Sequence, residues 1–97
     1  MDMPSKLKIV DLNYVVKLNP MLRTDEGFSA IGRHIAGGSS IEINPSFPQE
    51  VQESTLIHEI LEAINCNFEL ALAHHQITTL EHTLYQVLKD NKLYFGE

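Results

Sequence analysis

The chain changes character near Asn44, and that change narrows the possible folds more than any other feature of the sequence. β-type sequence precedes this point and helical sequence follows it. Lys6 to Asp11 and Tyr14 to Leu18 are short β-rich runs around Leu12-Asn13, which predicts a tight hairpin whose asparagine tolerates positive φ. Asn19-Pro20 then breaks the strand. Phe28 to Ile35 and Ser40 to Ile43 predict a second hairpin, closed by Ala36-Gly37-Gly38-Ser39 with the glycines supplying positive φ. Ile41 and Ile43 alternate with Glu42, which suits a strand with one buried face and Glu42 turned to solvent.

The helical half has its own punctuation. Ser46 can cap, Gln49 completes a capping box three residues later, and Pro48 sits in the first turn, where its missing N–H costs nothing. This first helix should run to about Asn65, burying Ile57, Ile60, Leu61 and Ile64. A second should run from about His74 to Lys89, burying Ile77, Leu80, Leu84, Val87 and Leu88 and stopping at Asp90-Asn91. Phe47 and Phe68 read as core. The order ββββαα implies a small α+β fold: a sheet of about four strands in two hairpins, then two helices on one side of it. Ninety-seven residues suit a single domain, 1–97.

Composition removes several function classes. A net charge of −6 with no Lys/Arg cluster argues against nucleic acid, because phosphate binding needs a basic patch. No apolar run approaches the roughly 18–20 residues needed to span a bilayer. The N-terminus lacks an export pattern, and the single cysteine, Cys66, cannot form an internal disulfide. A cytoplasmic location is the expectation.

The chemistry lies in "LIHEILEAIN", residues 56 to 65, which carries H-E-x-x-E at positions 58 to 62. His58 and Glu62 are one helical turn apart, roughly 6 Å between Cβ atoms, so one metal ion could take both. Zinc accepts imidazole nitrogen and carboxylate oxygen, and a catalytic site keeps three protein ligands and one open position. Glu59, beside His58, is placed to act as general base toward the water that the metal activates. On the second helix His74, Thr78, Glu81 and Tyr85 form a polar strip that can face this motif if the helices pack antiparallel. His74 is the first choice for third ligand, giving two imidazoles and a carboxylate. Glu81 is the second choice, or orients an imidazole from behind. Tyr85 could hydrogen-bond an oxyanion or simply be half-buried core. The competing reading makes His58, Glu59 and Glu62 the solvated face of an amphipathic helix.

The stretch "ESTLIHEILEAI", followed by "HHQITTLEHTLYQVLKDN" and preceded by a Gly-containing hairpin ending "IEINPSFP", resembles the small zincin-like metallopeptidases encoded by phages and prophages. The resemblance covers about Lys6 to Asn91. It implies a zincin-like domain in which His58, Glu62 and His74 bind Zn2+ and Glu59 is the catalytic base, with His74 opening the matching H-x-x-I. It also implies that an edge strand, Ser40 to Ile43 or Ser29 to His34, pairs with an extended peptide or protein substrate. The expected activity is zinc-dependent hydrolysis of peptide bonds. The alternatives are a non-catalytic phage accessory or binding protein whose metal site is degenerate or structural, and a metal-free module acting through protein contacts.

Overall fold

The computed structural model describes residues 3–93. Strands β1 (Lys6–Ile9) and β2 (Leu12–Leu18) pair antiparallel. Their turn is Val10-Asp11 rather than Leu12-Asn13, with both residues left-handed, at φ 51° and 65°. Two consecutive positive φ values match the twist of the flanking strands, so Leu12 and Asn13 stay in the ladder opposite Ile9 and Lys8. Strands β3 (Gly32–Ile35) and β4 (Ser40–Ile43) form the second antiparallel pair around a 3-10 turn at Ala36–Gly38. The left-handed residue there is Ser39, at φ 46°, and not either glycine. A 3-10 turn keeps its own residues right-handed, so the reversal falls to the residue that ends it.

The two hairpins join through a parallel pairing of β2 with β4, giving the order β1-β2-β4-β3. β4 is therefore paired on both sides. β3 is an edge, bonded to β4 alone among the described strands. Of the two segments expected to offer a free edge, Ser40 to Ile43 is thus excluded, and Ser29 is itself bridged to Arg23. Among the described residues, only Gly32–Ile35 presents an unpaired strand on this side.

Helices α1 (Gln49–Phe68) and α2 (His74–Asp90) complete the fold, an α+β arrangement. Ser46 does not cap α1. Its N–H is held by Asn44 Oδ1 at 2.9 Å, while Pro48 occupies the cap position without a side-chain hydrogen bond. Asn44 is 1% exposed and also donates from Nδ2 to the Ala30 carbonyl at 3.0 Å. One buried amide thus fixes the corner between strand and helix. At its far end α1 continues through Asn65-Cys66-Asn67 to Phe68, because Asn67 Nδ2 donates back to the Ala63 carbonyl at 2.7 Å instead of ending the helix.

The core is Ile9, Tyr14, Val16, Ile41 and Ile43 from the sheet against Leu56 and Ala63 of α1, with Ile60 and Ile64 half-buried beside them. The rest of the expected packing differs. α1 lies on the sheet, but α2 packs chiefly on α1. With one helix to lean on, α2 fully buries only Ile77 and Glu81, and Leu80, Leu84 and Val87 stay exposed. Phe47 is half-buried and Phe68 is exposed. Glu42 is not simply solvent-facing: it accepts from Arg33 across the strand pair and from Asn19 Nδ2 at 3.0 Å.

Gly32 sets how closely β3 approaches α1. A Cβ there would lie 2.5 Å from Thr55 Cγ2 and 3.1 Å from Glu59 Oε2, the first well inside van der Waals contact. Gly32→Ala is expected to cost about 1–3 kcal/mol, the usual range for overpacking, measured by urea unfolding. Gly37→Ala meets nothing within 4 Å and should leave the midpoint near that of the wild type.

Candidate functional site

Helical spacing puts Ser54, His58 and Glu62 in a row along α1, with Glu59 one position round toward the sheet. This polar face is covered, not solvated. Glu59 is only 6% exposed, Ser54 8% and Thr55 8%, and the His58 side chain keeps 14% of its surface. The solvated-face reading fails because two elements cover this face: the edge strand β3 at Gly32 and the polar side of α2.

α2 runs antiparallel to α1. Tyr85 Oη donates to Glu53 Oε1 at 2.7 Å, Ser54 Oγ donates to Glu81 Oε2, and the rings of His74 and His58 meet edge to face at a centroid distance of 5.4 Å. Glu81 Oε1 accepts the Nδ1–H of His58 at 2.8 Å. That bond fixes the ring's orientation and leaves Nε2 as its free nitrogen, the arrangement by which a carboxylate positions a metal-ligating histidine. His74 opens α2 and lies near Thr78 Oγ1, 3.5 Å from Nε2. Glu62 lies on the other side of His58, toward Asn65 and Cys66. Tyr85 is tied to Glu53 and also accepts from Lys89 Nζ at 3.3 Å. His75 and His82 are exposed.

Two hollows lie along β3 over α1 on either side of Gly32 and together make up the cleft. One end, about 420 Å³, is lined by His34, Glu62, Asn65 and Cys66. The other, about 700 Å³, is lined by Ser54, His74, Thr78, Glu81 and Tyr85. Gly32, His58 and Glu59 border both. No hydrogen bond from the described residues reaches the Glu59 carboxylate. Every fully buried side-chain oxygen among them has a partner, so the Glu59 oxygens open onto this cleft.

The Glu59 pKa is raised to about 7, chiefly by burial, with His58 pulling it down and the carboxylates of Glu62 and Glu81 adding to the rise. An acid stranded in this way takes up a proton or needs a positive neighbour. As for a metal, the residues fit zinc in kind: two imidazoles, one with its Nδ1 already engaged, a carboxylate, and a further carboxylate that no described residue hydrogen-bonds. Among the described residues no three His, Cys, Asp or Glu side chains converge on one point that could hold an ion.

Ser54 and Gly32 also shape the site, as does His34, and sequence reading did not single them out. Ser54 lies one turn before His58, so the helical spacing that marked Glu62 could have found it. Gly32 and His34 precede the α1 residues they face by more than twenty positions, and no local signal links them, since only the strand register places them over α1. No protein-family model matches the chain, and no curated protein or solved structure does.

The raised Glu59 pKa has a definite linkage sign. In the unfolded chain the group titrates near 4.5 and in the folded chain near 7, so between these values the folded state holds a proton that the unfolded state has released. With chelator present, stability from this group is complete below about pH 4.5 and is lost as pH rises through 7, by at most about 3 kcal/mol. Glu59→Gln should flatten that part of the pH profile in urea titrations. An unchanged slope would mean that Glu59 is ionised throughout.

Proposed function

We propose that this cleft hydrolyses peptide bonds with the help of a bound zinc ion, Glu59 acting as general base. The observation that carries the reading is the Glu59 carboxylate: 6% exposed, without a hydrogen-bond partner among the described residues and open to the cleft, beside a histidine held from behind by Glu81. His58 through Nε2, Glu62 and His74 would hold the metal, which requires Glu62 and His74, bordering different ends of the cleft, to close on His58. Zinc, when bound, supplies the Lewis acid that makes water nucleophilic at neutral pH.

The chain's own part follows from its geometry. The unpaired edge Gly32–Ile35 offers backbone donors and acceptors to an extended peptide and would lay it along the cleft. Glu59 takes the proton from the attacking water as the new C–O bond forms, then gives it to the amine nitrogen as the C–N bond breaks. A pKa near neutrality suits a group that must both accept and release a proton. Glu81 keeps the His58 ring in one orientation throughout.

A second reading has an observation of its own. Leu80, Leu84 and Val87 form an exposed apolar row along α2, which favours a module that acts through contact with another protein. Elemental mass spectrometry separates the two. The peptidase reading expects about one zinc per chain after reconstitution, lost in both His58→Ala and His74→Ala. It also expects Glu59→Gln to keep the metal while peptide cleavage falls by at least a hundredfold, the scale of a lost general base. A wild-type chain that takes up no zinc would leave the contact module as the better account.

A further inference from the structure

The sheet brings a second histidine to the cleft. His34 lies on β3 two residues after Gly32, so both project from the same face of the strand, the one turned toward α1. Its ring lines the smaller end of the cleft together with Glu59 and Glu62. No part of the H-E-x-x-E motif requires it.

Hydrogen-bond accounting fixes the tautomer of this ring. Asn67 Nδ2 donates to the Ala63 carbonyl at 2.7 Å, a bond that only the amide nitrogen can make, so its orientation is settled. The same nitrogen donates to Tyr14 Oη at 3.2 Å. Tyr14 is 2% exposed and its own hydroxyl proton must also find an acceptor. That acceptor is His34 Nε2, 3.1 Å away. Nε2 therefore carries no proton, and the neutral ring bears it on Nδ1. No hydrogen bond from the described residues reaches Nδ1. Burial also holds the ring's pKa below its ordinary value, with Glu62 pulling the other way, which keeps the ring neutral.

We propose that His34 contacts substrate in this cleft, donating its Nδ1–H to the scissile carbonyl oxygen as that oxygen gains negative charge, and that Asn67 and Tyr14 are positioning residues that hold the ring in the donating tautomer. The proposal rests on the peptidase reading above. A neutral donor fixed before substrate arrives costs no reorganisation at the moment of reaction, which is what makes such groups effective. Asn67 lies on the last turn of α1 and Tyr14 in the middle of the sheet, so the relay spans both layers of the core.

The test uses zinc-reconstituted full chain and three readouts. Two-bond 1H–15N spectra of the histidine rings should show His34 protonated on Nδ1 in the wild type, with Tyr14→Phe moving the proton wholly or partly to Nε2. An N-blocked phosphinic tripeptide, which mimics the tetrahedral oxyanion, should bind the wild type and lose about a hundredfold in affinity in His34→Phe, with His34→Gln recovering part of the loss. Cleavage of a randomised peptide pool should fall through kcat rather than KM, with zinc content unchanged. If His34→Phe binds the analogue as the wild type does, the His34 role is overturned and the peptidase reading stands. If the zinc-loaded wild type neither binds the analogue nor cleaves the pool, both fail together. A wild-type ring protonated on Nε2 overturns the relay whether or not the variants fold.

Discussion

The close approach of β3 to α1 at Gly32 governs the rest of the structure. With no Cβ at that position, an edge strand can lie directly on Thr55 and Glu59. This buries most of the Glu59 side chain while no described residue gives its carboxylate a hydrogen bond, and the burial is the main cause of its raised pKa. The same contact turns His34 toward Glu62, because strand periodicity carries Gly32 and His34 on one face. A side chain at position 32 would lift the strand and open both ends of the cleft to solvent.

The second helix is fastened by polar contacts more than by apolar ones. Tyr85 to Glu53, Ser54 to Glu81, His58 to Glu81 and Lys89 to Glu50 tie α2 to α1 in sequence. The Lys89 pair is largely exposed and contributes little by the usual measure of surface ion pairs. The Glu81 contacts are buried, where breaking one leaves a polar group stranded and costs more. The seam between the helices is therefore also the supporting layer of the site. Any change in the charge on His58 or Glu81 alters how firmly α2 is held.

The sequence was most legible where local chemistry decides structure. β-rich runs between turn residues marked the strands, with period-two alternation in Ser40–Ile43, and helical spacing marked the two helices, although the third strand begins only at Gly32 and not at Phe28. Turn residues were less legible. Val10-Asp11 adopts an I′ turn with a β-branched residue at positive φ, against its propensity, since the register of Ile9 opposite Leu12 leaves those two residues to turn. The buried face of α1 was misjudged for a related reason. Ile57, Ile60, Leu61 and Ile64 satisfy the helical pattern, yet Glu53, Ser54, Thr55 and Glu59 are the more deeply buried, because α2 and the edge of β3 cover the polar side. The spacing of His58, Glu59 and Glu62 could be read along one helix. His34 and Gly32 could not, since they reach the site through the pairing of β3 with β4 and the crossover that makes β3 an edge.

The carboxylates of Glu62 and Glu81 both raise the Glu59 pKa, with His58 as the opposing influence, in a chain whose net charge is already −6. Glu59, buried beside two further carboxylates, cannot ionise without cost. Two kinds of relief are open: a proton on Glu59, or a cation beside His58 and Glu62. These are mutually exclusive in effect, since a cation draws the Glu59 pKa back down and a protonated Glu59 removes part of the field that attracts the cation. Proton and cation would then compete for the same negative potential, so cation affinity should rise with pH through the range in which Glu59 titrates. The burial that makes Glu59 a poor surface carboxylate is thus the property that would couple the cleft's protonation to its occupancy.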